Sequence, residues 1–390
     1  MTSWQPPRAE TVMAPVVARR LLQQALAART DDPRLHTRLG DIALDAFDFA
    51  SAADAFEAAL ALDPDLPRVR SRLAHCLTVL GRPTEALTVL APAATACHER
   101  GAALVALGRT EEAEAEFRLV LAADPGHVQA CRALGKILRR AGRITDLLGL
   151  CETLHARGIA HAQLLYMWGT ALALDGDEAR AASLLVDERR IVGRALPLPA
   201  GFDTIDTFNA ALAEDLLANP CRLDNFPPEE EANRGSSRVH ALFAGRRPEL
   251  IRGLLAALQS LIDAWRPPRL GPFDPWIEAR PERARLRAWG LIQRGGDYEE
   301  WHLHRGGWLS GVYYVRVPRS VSADRHGPGC IEYGPPRALA RAMPDLVPIR
   351  RYEPREGMLL LAPSHYPHRT IPSGADEDRI SFAFDVVPDV

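Results

Sequence analysis

Small and apolar positions in the first half of the chain recur with a long period. Small residues stand at Gly40, Ala74, Gly101, Gly135 and Gly169, and twelve positions beyond them lie Ala52, Ala86, Ala113, Leu147 and Ala181. Four positions further come Phe56, Leu90, Phe117, Cys151 and Leu185. Three of the four steps between units are 34 residues, and the step from Ala74 to Gly101 is 27, which predicts a truncated second helix in that unit. The pattern predicts pairs of antiparallel helices in which the small residue lets two helices approach and the apolar residue one turn on fills the gap. Asp63-Pro64 and Asp124-Pro125 supply stops for two of the second helices.

The texture changes in the second half. At ALPLPAG (195–201) proline and glycine interrupt the helical rhythm. FNAALAEDLLANP and PELIRGLLAALQSLIDAW then carry apolar residues at three and four spacing, as amphipathic helices do. From Arg285 onward LRAWGLIQR, LSGVYYVRV, GMLLLAP and RISFAFDVV are short, β-branched and aromatic, and bounded by Gly, Pro or Asp. Strands following helices in this way predict an antiparallel barrel or jelly roll backed by helices. The helical period and pattern of the first half resemble the tetratricopeptide repeat, a superhelix whose concave face commonly holds a peptide or protein. The expected organisation is therefore a helical lead-in over 1–32, repeats over 33–194 and a β domain with supporting helices over 195–390, an α+β multidomain chain.

Composition narrows the function classes. The 390 residues are 47% hydrophobic and 25% charged with a net charge of −3, which gives no reason to expect nucleic acid or an anionic membrane as partner. The first twenty residues do not read as a secretory signal, and no segment reads as a membrane span. The six cysteines, at 76, 97, 131, 151, 221 and 330, lack paired spacing, so a reducing cytoplasm is the expected compartment. Neither GxSxG nor GxxxxGK[ST] occurs, so hydrolase and nucleotide chemistry of those types are not supported.

The candidate chemistry lies in WHLHRGGWLSGVYYVRVP. Residues two apart on a strand point the same way, so His302 and His304 can present two imidazoles to one metal ion. His368 in SHYPHRTIP is the expected third ligand, with His365 as its competitor. Eleven positions on, Arg379 and Ser381 share one face of the strand RISFAF. A buried arginine there needs an anion, and a carboxylate bound bidentately would satisfy it. The plainer alternative pairs Arg379 with Asp376, Glu377 or Asp378.

Two close ligands, a distant third and Arg-x-Ser is the order found in Fe(II)/2-oxoglutarate oxygenases. FNAALAEDLL, RVHALF, HLHRGGWLSGVYYVRVP, GCIEYGPPR, GMLLLAPSHYPH and RISFAFDV together resemble the 2OG-Fe(II) oxygenases that often follow tetratricopeptide repeats in bacteria. That resemblance implies a double-stranded β-helix of the jelly-roll or cupin type. It also implies Fe(II) held by His302, His304 and His368, and 2-oxoglutarate anchored by Arg379 and Ser381. Tyr314, with Trp301, Trp308 and Tyr313, is a candidate to wall the pocket. Hydroxylation of an unidentified substrate is the expected activity; attachment to a superhelix of the peptide-binding type favours a protein or peptide recruited by the repeats, with a small metabolite as the alternative.

Two departures stand out. HLH replaces the HxD or HxE of most such enzymes, and Glu332, Glu300 and Asp297 are the nearby acids that could compensate. In GCIEYGPPR, Pro335 stands where relatives tend to have an acid. Two other readings remain open. One is a repeat-based interaction protein with a degenerate oxygenase domain; the other is a three-histidine cupin-like metalloenzyme that does not use 2-oxoglutarate.

Overall fold

The computed structural model describes residues 2–5, 15–28, 31–91, 95–224, 232–322, 327–335, 339–340 and 347–389. The chain forms two compact units, Met13–Arg143 and, together, Met1–Val12 with Ile144–Val390.

The first unit is helical, with α1 (Pro15–Ala28), α2 (Pro33–Asp45), α3 (Phe49–Leu62), α4 (Pro67–Val79), α5 (Pro83–Leu90), α6 (His98–Ala106), α7 (Thr110–Ala123) and α8 (Val128–Arg140). The short repeat step has the expected cause: α5 is 8 residues long where α3 and α7 are each 14. Asp63 and Asp124 cap the C-termini of α3 and α7, just before the prolines that stop them. The small residues are small for a steric reason. A Cβ on Gly40 would lie 2.6 Å from Cδ1 of Phe56, and one on Gly101 would lie 2.7 Å from Cζ of Phe117. Phe56 with Leu73, Leu77 and Leu90 then forms a continuous buried core. Gly81, Gly108 and Gly142 stand seven positions after Ala74, Gly101 and Gly135 and take positive φ, 75°, 74° and 69°, in the turn between paired helices. The first repeat places Phe47 there, at φ 58°.

The second unit opens with α9 (Ile144–Ala156), α10 (Ala162–Asp175) and α11 (Glu178–Ala181), then passes into the sheets. The division therefore falls at Arg143/Ile144 and not at the expected 194/195. Val192–Ala195 is already strand β2 of the main sheet, and the fully buried Arg190 is ion-paired with Asp274 and donates to the carbonyls of Ser183 and Pro268. The backbone of Gln163 in α10 donates to the carbonyl of Arg305, just past the HLH segment, at 3.0 Å. The expected helical lead-in contains α1 (Pro15–Ala28), but Ser3–Trp4 ahead of it is strand β1, paired in parallel with Arg283–Ala284.

The remaining elements are β3 (Arg222–Leu223), β4 (Asn233–Arg234), β5 (Ser237–Val239), β6 (Arg283–Gln293), β7 (Tyr298–Glu299), β8 (Leu309–Arg316), β9 (Ile331–Tyr333), β10 (Arg350–Tyr352), β11 (Met358–Pro363), β12 (His368–Thr370) and β13 (Arg379–Pro388), with helices α12 (Ile205–Leu217), α13 (Pro248–Ala264) and α14 (Pro275–Glu278). The main sheet runs β2-β11-β8-β13-β6-β5-β3, with β1 also on β6, and the smaller one runs β10-β9-β12. This is the expected α+β chain: tetratricopeptide-like helices followed by antiparallel sheets of the double-stranded β-helix type.

Alternation along β13 separates two environments. Ile380, Phe382, Phe384 and Val386 are buried on one face, beside Tyr313 and Gly311 of β8. A Cβ on Gly311 would lie 2.9 Å from Cδ2 of Leu361, and the Tyr313 hydroxyl donates to Asn209 of α12 at 2.6 Å. Arg379, Ser381, Ala383 and Asp385 take the other face. Across the strand pairs Ser381 stands opposite Tyr314, and Asp385 opposite Ser310 and Arg287.

Candidate functional site

Backbone pairing brings the three histidines together. His302 and His368 form an antiparallel bridge, each amide donating to the other's carbonyl at 2.9 Å. The His304 amide donates to the carbonyl of Ser364 at 3.2 Å. One ring nitrogen from each of His302, His304 and His368 lies within 4.8 Å of the other two. Ring centroids are 4.3 Å apart for His302 and His368, 5.0 Å for His304 and His368, and 5.3 Å for His302 and His304.

The second nitrogen of each ring is occupied. Nδ1 of His302 bonds the carbonyl of Glu300 at 2.7 Å, and Nδ1 of His368 bonds the carbonyl of Tyr366 at 3.0 Å. Nδ1 of His304 bonds Oδ1 of Asp385. With Nδ1 of each ring engaged by an oxygen, Nε2 is the atom that each can offer to a metal. Burial, and then the neighbouring His304, pushes the protonated form of His368 out, its pKa falling to about 3. Burial, then His368 and His304, likewise holds His302 well below its ordinary value. His302 and His368 are thus neutral donors of the kind Fe(II) accepts.

His365 stands apart from this group. It is 1% exposed, with its ring against Tyr366 at 4.8 Å and Trp276 at 6.3 Å.

Arg379 lies in the same unit, 3% exposed. Its Nη1 donates to the carbonyl of Gly329 at 2.7 Å, and its guanidinium lies 5.4 Å from the centroid of the Tyr314 ring. Its Nε and the Tyr314 hydroxyl are buried without a hydrogen bond of normal geometry among the described residues. The neighbouring acids do not neutralise it: Asp378 pairs with Arg294 at 3.3 Å and Glu377 accepts from the Arg319 amide at 3.3 Å. Burial lowers the Arg379 pKa, as expected of a cation held away from water. Burial also raises that of Tyr314, against the opposing pull of Arg379, so the phenol stays a proton donor. The acid whose charge reaches Arg379 is Glu299, itself paired with Arg238 at 3.2 Å. A buried cation with no ion pair of its own among the described residues, beside a donor hydroxyl, fits the distal carboxylate of 2-oxoglutarate.

The other aromatic candidates fall elsewhere. Tyr313 faces α12, on the opposite side of β8 from Tyr314. Trp308 stacks on Trp276 at 5.0 Å, and each indole donates to the other's carbonyl. Trp301 lies under the Arg369 guanidinium at 4.9 Å and against Gly334. Two other aromatic rings do meet the histidines: Trp289 on β6, stacked on His304 at 5.5 Å, and Tyr333 on β9, 5.4 Å from the His368 ring.

The acids named as compensators are committed to other partners. Glu332 is fully buried between Arg351 and Arg369, the latter bond 2.7 Å long. Asp297 caps the Arg294 amide at 2.8 Å, and Glu300 meets His302 through its backbone carbonyl. Pro335 is described, but the Pro336-Arg337 pair that follows lies outside the described residues.

The acid in contact is Asp385. It is fully buried, and its Oδ1 takes His304 Nδ1 and the Ser310 hydroxyl, the latter at 2.8 Å, while Oδ2 takes Arg287 at 2.7 Å. Burial pushes its carboxyl upward, but His304 and Arg287 pull it further down, to about 2. Its signal in the sequence was parity, for it follows Arg379 by six residues and so shares that residue's strand face.

Residues 287–385 match the family model described as "Putative 2OG-Fe(II) oxygenase". Residues 17–67 and 98–146 match one tetratricopeptide repeat model, and 43–107 match another. Comparison with curated proteins finds no match. Among solved structures, the type IV pilus biogenesis factor PilW is 20% identical with a TM-score of 0.36, over 42% of this chain and 79% of its own. A Pseudomonas putida prolyl-4-hydroxylase is 16% identical with a TM-score of 0.32, over 52% and 94%. The carbocyclase SnoK from nogalamycin biosynthesis is 15% identical with a TM-score of 0.34, over 51% and 79%. The chain thus carries tetratricopeptide repeats in its N-terminal part and, over residues 287–385, a domain of the 2OG-Fe(II) oxygenase family, which implies Fe(II) and 2-oxoglutarate as cofactors.

Proposed function

We propose that the chain is an Fe(II)- and 2-oxoglutarate-dependent hydroxylase acting on a protein or peptide that the repeats recruit. The observation carrying this reading is the pairing of three imidazoles whose Nδ1 atoms are already engaged with a buried arginine that forms no ion pair of its own among the described residues. His302, His304 and His368 would hold the metal through Nε2. Arg379 would donate to the distal carboxylate of 2-oxoglutarate, with Ser381 and the Tyr314 hydroxyl as further donors from the same face. When bound, Fe(II) and 2-oxoglutarate supply oxygen activation, in which O2 converts 2-oxoglutarate to succinate and CO2 while a substrate C–H becomes C–OH.

The chain contributes orientation and dryness. Val317, Ile331, Tyr333, Leu360 and Ala362 cluster with Tyr314 as a buried apolar wall, and an apolar wall strengthens the charge-assisted bonds made beside it. The Nδ1 bonds hold the imidazoles in one tautomer and ring orientation, so a metal meets preset donors. Recruitment by the repeats is supported by their match to a class of superhelix that commonly binds peptides.

The test is an anaerobic titration of the Fe(II)-loaded chain with 2-oxoglutarate, following the weak visible charge-transfer absorption. A band in the native chain that is lost in His368→Ala and Arg379→Ala is the expected result. Iron uptake without a band would favour a three-histidine enzyme that does not use 2-oxoglutarate.

A further inference from the structure

We infer that Asp385 is a positioning residue for the metal, supplying through His304 the negative charge that an aspartate or glutamate ligand supplies directly in an HxD or HxE site. The inference rests on the reading of His302, His304 and His368 as ligands and extends it to the residue behind one of them.

Three neutral imidazoles leave the full double charge of Fe(II) uncompensated by protein, whereas a site with one carboxylate ligand cancels half of it. Two of the three rings here lean on backbone carbonyls, those of Glu300 and Tyr366. His304 instead leans on a carboxylate. A carboxylate accepting the Nδ1 proton makes Nε2 a stronger donor and draws the ring toward imidazolate character. HLH followed by Asp385 therefore places a carboxylate one imidazole further out than HxD does.

The surroundings of Asp385 favour this over a plain ion pair with Arg287. The Arg287 side chain is 61% exposed and Asp385 is fully buried. Water screens the charge of an exposed arginine, so the pair by itself gives little reason to bury the acid. The carboxylate is also fastened from the far side, since the Ser310 hydroxyl bonds Oδ1 at 2.8 Å and Ser364 bonds Ser310 at 2.7 Å. That serine pair fixes the oxygen that faces His304.

The test uses the full chain without oxygen and reads Co(II) affinity by visible titration, then the energy of the Fe(II)·2-oxoglutarate band. Asp385→Asn is expected to bind Co(II) about 10- to 100-fold more weakly and to move the band to higher energy, because a poorer donor lowers the metal d levels. Arg287→Gln leaves the carboxylate less neutralised, so it should bind Co(II) more tightly and move the band to lower energy. A purely structural Asp385 predicts no such opposite pair of shifts. Unchanged affinity and band energy in a folded Asp385→Asn would overturn the inference while leaving the metal site standing. Where Asp385→Asn does not fold, the solvent-exposed Arg287→Gln decides, and no shift in it counts against. A native chain that binds neither Co(II) nor Fe(II) overturns the ligand reading itself and this inference with it.

Discussion

The ring of Phe117 occupies the space where a side chain on Gly101 would begin, Cζ lying 2.7 Å from the position of a Cβ. Gly101→Ala should therefore overpack the α6/α7 interface and cost about 1–3 kcal/mol, read as a lower midpoint in urea. Gly149 gives the opposite sign, since it sits exposed within α9 with no atom within 4 Å of a Cβ. Gly149→Ala should stabilise by about 1 kcal/mol through helix propensity alone.

Adjacent tyrosines should separate stability from binding. Tyr313→Phe removes the 2.6 Å bond to buried Asn209 and should cost about 1–3 kcal/mol, with 2-oxoglutarate affinity unchanged. Tyr314→Phe should weaken 2-oxoglutarate and leave the thermal midpoint close to that of the native chain. Calorimetry of unfolding and an isothermal titration with 2-oxoglutarate read the two effects side by side.

Arg379→Lys keeps the charge and loses the planar fork. Loss of one charge-assisted bond of about 1.5–3 kcal/mol corresponds to roughly 10- to 100-fold in 2-oxoglutarate affinity. Metal affinity measured without 2-oxoglutarate should stay the same. A parallel fall in both constants would remove Arg379 from the anchoring role.

Acid lability has a source in the repeats. Burial, then His127 and His75, depress the pKa of His98 to about 4. The folded value lies below the unfolded one of about 6.5, so neutral His98 is compatible with folding above that pH, and stability is lost as pH falls from about 6.5 toward 4. At about 1.4 kcal/mol per unit, the loss is on the order of 3 kcal/mol. His98→Gln should flatten the slope of unfolding free energy between pH 7 and pH 5.

The repeat register was legible because it rests on steric pairs such as Gly40 with Phe56, which the sequence displays at fixed spacing. The turn position seven residues on was equally periodic, but Phe47 stands where Gly81, Gly108 and Gly142 follow, and that departure hid it. His302, His304, His368, Arg379 and Ser381 were legible as candidates from their order and spacing, and Tyr314 as one of four aromatic candidates; the structure brings them into one unit, although His302 and His304 lie outside the named strands, His302 in an isolated bridge to His368. Asp385 was overlooked because compensating acids were sought near HLH in sequence, whereas in an antiparallel sheet the neighbour of a residue lies on another strand. Trp308 and Tyr313 were misplaced for a related reason, since aromatic residues beside a motif can face either side of a strand. Proline and glycine at 195–201 mark a break in helical rhythm, and here that break follows a strand already joined to the sheet.

The pairing of Ser3–Trp4 with Arg283–Ala284 makes the β unit discontinuous in sequence. During synthesis the first strand must wait while more than two hundred residues emerge, and the repeats can complete their local contacts in that interval. A fragment starting at Ile144 would present β6 to solvent with that stretch of edge unsatisfied, inviting association between copies. Dissecting the repeats from the oxygenase domain therefore calls for circular permutation or a graft of the leading strand, because a single cut would sever the smaller partner from its sheet.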